Sequence, residues 1–248
     1  MLTIATDLPP GALVGGEEQL VSQAVLRSGG ARFVARASDL IRDNGKILGW
    51  REARGAGDAM ATAPNTGNSR FEAGPPGALI CENGVNCGFI LSEFAREVEE
   101  FTIAVIYSSG GEARTLAAVS TGQANNVIFL SEAGGRIVFK DRSNSVEAAL
   151  PVATAAKPKL VIASYDGRRL RLRMDGREAV GEGRVPDMKQ KADFLIGCRS
   201  NRPGLTKMLG DARLHEVMFW PDHALSEIAA GEDAVVLSAL ERYHRWSW

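Results

Sequence analysis

Cysteine, histidine and net charge are all scarce in this chain, and each scarcity removes a class of function. Its 248 residues include three Cys and three His. An odd number of cysteines argues against a disulfide framework, and Cys81, Cys87 and Cys198 lack zinc-site spacing. Cys81 and Cys87 bracket a turn-like ENGVN, so a local cross-link is the alternative to the expected free, buried thiols. The net charge of −1 and pI near 6.3 give no global field that would draw the chain to nucleic acid or anionic lipid. No apolar run approaches the ~20 residues of a membrane span, so no membrane insertion is expected. The opening MLTIATDLPPGALVGG has no basic region followed by an apolar core, and so does not read as a secretory signal. The expectation is synthesis in a reducing cytoplasm, with any export by lysis or another route.

What the sequence does have is turns. Gly is frequent, at 27 residues. The stretch KLVIASYDGRRLRLRMDGREAV, from Lys159 to Val180, holds Asp166-Gly167 and Asp175-Gly176 between alternating runs. Asp-Gly favours a type I′ hairpin, because both turn residues need positive φ. Leu170, Leu172 and Met174 alternate with Arg169, Arg171 and Arg173, so one side chain faces a core and the next faces water. Three consecutive antiparallel strands follow. FTIAVIY, Phe101–Tyr107, is apolar on both faces and suits a central sheet position. Further short strands are expected at 33–37, 46–51, 78–81, 88–91, 115–120, 126–131, 136–140, 192–198 and 212–220, with residues 54–77 as loop and 92–100 as an acidic helical turn. Helices are expected over 17–27 and 232–243, the second with Val236, Leu240 and Tyr243 on one face.

Taken in order, several pieces resemble the concanavalin A-like jelly roll in its laminin-G-like form. They are LGWREARGAGDAMAT (48–62), GPPGALICENG (74–84), the double hairpin, DFLIGCRSN (193–201) and LGDARLHEVMFWPDHALSEIA (209–229). Cys81 and Glu82 depart from the aromatic and Asp that the family often carries there. The resemblance covers about residues 31–246. It implies an all-β, antiparallel two-sheet jelly-roll sandwich with a short N-terminal arm and a C-terminal helix. The expected division is an arm or attachment segment over 1–30 and the jelly roll, with its helix, over 31–248.

This fold hosts lectins, glycosidases and scaffolds alike, so function must be read from residues. No ExDxE strand supplies a carboxylate pair for glycoside hydrolysis. No GxSxG elbow or Walker loop occurs, and GAGDAM (55–60) lacks the third glycine of a dinucleotide loop. Glu216 stands alone beside His215 on an expected strand. Asp141, Asn144, Asp187 and Asp211 carry calcium-type oxygens without EF-hand order, so neither metal nor cofactor is expected. The expectation is no enzyme.

Sugar binding needs an aromatic face and amide, carboxylate or guanidinium partners on rim loops. Such loops are present at Asn125-Asn126, Asp141–Asn144 and Arg199–Arg202. The candidate carbohydrate-binding residues are Asn125, Asn126, Asp141, Asn144, Arg199, Asn201, Arg202 and Trp220. The resemblance extends to bacterial surface proteins and to spikes and fibres of phage or phage-like particles. The expected partners are therefore a cell-surface polysaccharide, such as a capsule, together with sister subunits and particle proteins held by the N-terminal arm; no nucleic acid is expected. The alternatives are a decoration or scaffold protein without a ligand, and an enzyme with an unrecognised carboxylate pair.

Overall fold

The computed structural model describes residues 16–27, 29–53, 55, 57–95, 97–152, 157–203, 210–226 and 231–248. The chain begins with α1 (Gly16–Arg27), β1 (Ala31–Val34), β2 (Leu40–Asp43), β3 (Lys46–Trp50), β4 (Ala59–Ala61), β5 (Arg70–Glu72) and β6 (Ala78–Cys81). It continues through β7 (Phe89–Ala95), β8 (Phe101–Ser108), β9 (Ala117–Ser120), β10 (Val127–Ala133), β11 (Arg136–Asp141) and β12 (Glu147–Pro151). It ends with β13 (Lys159–Tyr165), β14 (Leu170–Met174), β15 (Arg177–Gly181), β16 (Ala192–Ile196), β17 (Ala212–Trp220) and α2 (Glu232–Ser247).

The strands form two antiparallel sheets. The first runs β15-β14-β13-β8-β17-β6-β5, with β1 also paired to β17; the second runs β12-β11-β10-β9-β16-β7-β4-β3-β2. Alternation decides what lies between them. Ile103, Val105 and Tyr107 of β8 and Val161 and Ala163 of β13 face the interior from the first sheet; Ile128, Leu130, Phe194 and Ile196 face it from the second. Phe194 stacks on Phe219 across the layer, with centroids 4.2 Å apart. The protein is an all-β jelly-roll sandwich with a short N-terminal and a longer C-terminal helix.

β8 is apolar on both faces because its outer residues, Ala104 and Ile106, are also covered. They join Leu160, Ile162, Met218 and Trp220 beneath Val21 and Val25 of α1 and Leu237, Leu240 and Tyr243 of α2. Both described helices thus lie on the outer face of the first sheet. Arg32 and Glu216 fix that packing. Arg32 Nε donates to Glu216 Oε1 at 2.5 Å, and Tyr243 OH donates to Glu216 Oε2 at 2.8 Å. Arg32 also donates to Ser22 and, at 3.1 Å, to Glu18 of α1. Among the described residues no helix is long and apolar enough to cross a membrane.

Three expectations need correction. The first Asp-Gly pair is no two-residue turn: Tyr165 pairs with Leu170, and Asp166 Oδ1 accepts the N–H groups of Arg168 and Arg169 at 3.0 and 2.7 Å. Asp175-Gly176 does form the tight turn, with φ of 51° and 69°. Of the acidic stretch 92–100, residues 92–95 continue β7 and residues 97–100 are irregular, so it forms no helical turn among the described residues. β7 passes through Glu93 at φ 48°, and the register against β16 slips between Ala192 and Phe194. Finally, residues 54–77 include β4 and β5, short strands within turn-rich sequence.

Candidate functional site

The outer face of the second sheet carries neither described helix. Its side chains follow from the pleat. In β10, Ile128 and Leu130 point inward, so Val127 and Phe129 point out. Pairing registers align Ile90, Leu195, Ala118, Phe129 and Lys140 in one row across five strands. Continuing the row, Met60 pairs with Ile90 and is 46% exposed.

Phe129 is 2% exposed, like Ala118 and Leu195 beside it at 0% and 1%, and a cation lies over its ring. The Arg199 guanidinium carbon sits 3.4 Å from the ring centroid, and Lys140 Nζ lies 5.9 Å away. Arg199 is held in place: its Nε donates to Thr115 Oγ1 at 2.7 Å, and its Nη2 donates to the Arg114 carbonyl. Burial, then the charges of Arg142 and Arg114, lower its pKa to about 10. A guanidinium among like charges favours an anionic or oxygen-rich partner. Lys140 is offset by Glu147 at 3.7 Å.

The eight residues singled out in sequence divide into three places. Asn125, Asn126, Asp141 and Asn144 occupy the β9–β10 and β11–β12 turns, at one end of the second sheet. Those turns touch, since Arg142 N–H donates to the Val127 carbonyl at 3.1 Å. Asn125 and Asn144 are exposed and take positive φ, 71° and 56°. Asn126 Nδ2 donates to the Asp187 carbonyl at 2.8 Å. Arg199, Asn201 and Arg202 follow β16 at the opposite end; there Asn201 Oδ1 accepts the Ala63 N–H at 2.6 Å, and Arg202 is exposed. Only Arg199 reaches the row.

Two of the eight have other employment. Asp141 is buried, and its carboxylate accepts the N–H groups of Ser143, Ser145 and Val146 at 3.0, 2.7 and 3.0 Å. It builds its turn instead of facing a ligand or a calcium ion. Trp220 lies on the other sheet, 1% exposed beneath the helices, and shares no surface with the remaining seven. Glu216, considered as a catalytic carboxylate, is fully buried in its ion pair with Arg32. The hairpin arginines are matched internally as well: Arg171 pairs with Glu178 at 3.2 Å, and Arg173 with Glu241 of α2 at 2.8 Å.

Phe129, Lys140 and Arg114 were missed in the sequence, and Arg142 was seen only as part of the 141–144 loop. VIFLSEA is apolar on both sides of the pleat, so its outward aromatic looks like core. The only available signal was the basic pair Lys140 and Arg142, flanking Asp141 at a strand end.

No protein-family model and no curated protein matches the sequence. Solved structures match in fold. Domain 4 of AbnA, a GH43 extracellular arabinanase from Geobacillus stearothermophilus in complex with arabinotriose, has a TM-score of 0.53 at 12% identity, covering 85% of this chain and 97% of that one. Trypanosoma rangeli sialidase has a TM-score of 0.50 at 14% identity over 86% of this chain, which spans only 32% of the sialidase. Mouse laminin alpha1 chain, domains LG4-5, has a TM-score of 0.40 at 16% identity, covering 60% of this chain and 41% of that one. At these identities the first two likenesses speak for the fold.

Proposed function

We propose that the chain is a non-catalytic carbohydrate-binding module whose ligand lies on the outer side of the second sheet, which neither described helix covers. The observation that carries this reading is the clamped Arg199 on Phe129, in the middle of the face that no described helix covers. A cation held in one place over an aromatic ring sets a fixed positive charge on this face at low entropic cost, which favours oxygen-rich ligands. Asn125 and Asn144 provide amide groups at the rim. Domain 4 of the arabinanase, with the same fold, is described with arabinotriose bound, which makes a saccharide a reasonable class of ligand for this scaffold.

The finer setting we propose is a spike or fibre component of a phage-like particle recognising a cell-surface polysaccharide. Attachment to particle proteins and sister subunits is assigned to the N-terminal arm over 1–30, of which α1 packs on the first sheet.

The test is an array of immobilised bacterial surface polysaccharides probed with the chain and with Arg199→Ala. Selective binding, weakened about tenfold or more in the variant, with no sugar released, is expected; one lost charged contact is worth that much. Absence of binding across the array, or binding unchanged in the variant, refutes this site.

A further inference from the structure

The helix roof of the first sheet leaves a cleft of about 400 Å³ beside the last turn of α2. Leu160 and Ile162, on the outer face of β13, give it an apolar lining, and Trp248 adds an aromatic wall. Bonds on two sides fix its shape. His244 Nε2 lies 2.9 Å from the Pro158 carbonyl and ties α2 to the chain entering β13. Arg173 Nε donates to Glu241 Oε1 at 2.8 Å and ties α2 to β14. Trp248 is anchored as well: its backbone N–H donates to the His244 carbonyl at 3.1 Å, and its ring lies 5.1 Å from that of His215. The cleft is thus formed ahead of any ligand, as small-molecule sites are.

Its charged groups are unequally employed. The two carboxylates of the lining are already met, Glu241 by Arg173 and Asp175 by Arg177 at 3.8 Å. Lys157 and Arg245 also line the cleft and are exposed, and neither forms an ion pair among the described residues. A neutral donor is idle too: Trp248 Nε1 is buried and has no hydrogen-bond partner. Such a donor is uncommon in a folded protein and calls for an acceptor.

We propose that this cleft binds a small organic anion with a flat apolar body, its carboxylate held by Lys157 and Arg245 and its body set against Leu160, Ile162 and Trp248. The observations select this class over its neighbours. A cationic ligand would find both carboxylates occupied and two cations opposing it. A neutral polyol would gain nothing from those cations that water does not give them. An apolar molecule without charge would use the lining and leave the donors unmet. The α2 C-terminus contributes about half a negative charge, which one guanidinium exceeds. An aryl carboxylate answers every feature: a ring for the indole face, and two oxygens for the ammonium and the guanidinium. The cleft lies on the other sheet from the carbohydrate-binding face and does not rest on that reading.

The experiment titrates the full chain, labelled with ¹⁵N, with 2-naphthoate and follows the indole N–H signals by NMR, that of Trp248 being identified by its loss in Trp248→Phe. The expected result is a saturable shift of the Trp248 signal with a Kd of about 1 mM, the affinity of a weakly efficient ligand of this size. The neutral 2-naphthylmethanol and the cationic 2-naphthylmethylamine should bind more weakly, the amine weakest. Arg245→Gln and Lys157→Gln should each weaken naphthoate by about fivefold, the worth of one exposed charge contact. Both residues are exposed, so neither change threatens the fold. No shift of the Trp248 signal at ten times the expected Kd, equal binding of the amine, or affinity unchanged in both cation variants overturns the proposal.

Discussion

Glu216 is fully buried, and its carboxylate meets Arg32 at 2.5 Å and Tyr243 OH at 2.8 Å. In sequence it looked like a solitary acid beside a histidine, because its partner Arg32 lies 184 residues away. Removing one member of a buried ion pair leaves the other charge uncompensated, at a cost of about 3–5 kcal/mol. Glu216→Gln should lower the urea midpoint accordingly with an unchanged slope, and adding Arg32→Met should recover part of the loss. Additive losses in the double variant would refute the coupling. The neighbouring His215 is held neutral. Its Nδ1 lies 2.9 Å from the Gly77 carbonyl, which can only accept, so Nδ1 carries the proton and Nε2 accepts from Ser108 Oγ at 2.9 Å. Burial, partly offset by the Gly77 bond, lowers its pKa below 6.5. The unfolded chain then binds the proton more readily, so this contribution is full above pH ~6.5 and is lost as pH falls toward the lowered value. Denaturation midpoints of the chain and of His215→Gln, measured from pH 8 to 5, should converge as pH falls. Parallel curves would show that His215 carries no such linkage.

At the scale of elements, legibility in sequence followed the strength of local signals. β13, β14 and β15 were plain, because alternation over Leu170–Met174 and the Asp175-Gly176 turn agree with one another. α2 was plain for the same reason, with Leu237, Leu240 and Tyr243 on one buried stripe. β4 and β5 were not, since each has three residues and draws its stability from neighbours, Met60 on Ile90 and Phe71 on Leu79. β7 misled for a different reason. Its acidic end is kept extended by pairing with β16 and by the Asp193 bond to Glu93 N–H, neither of which is local in sequence. The candidate site shares this character. Arg199 was visible as a polar loop residue; its stacking on Phe129 depends on β16, β9 and β10 lying side by side.

On the scale of the whole molecule, the two sheets cover their outer faces by different means. The first is roofed by α1 and α2 over Met218, Trp220, Ile106 and Ile162. The second bears Met60 at 46% exposure and a row screened by long cationic side chains. Sequence order alone announced a sandwich but not which side the helices would roof, because an apolar residue under a helix and one under an arginine read the same. The two faces should therefore respond differently to the same kind of change. Leu240, with no exposed surface, loses contacts on both the sheet and α1 when shortened, so Leu240→Ala should cost about 2–5 kcal/mol and expose apolar surface to a hydrophobic dye. Met60→Ala removes a side chain already half in water, and should change stability by no more than about 0.5 kcal/mol while leaving dye binding unchanged. If Met60→Ala proved as costly as Leu240→Ala, the β4 end of this row would be as tightly covered as the helix-roofed sheet, and the exposure of Met60 on which the contrast rests would not hold.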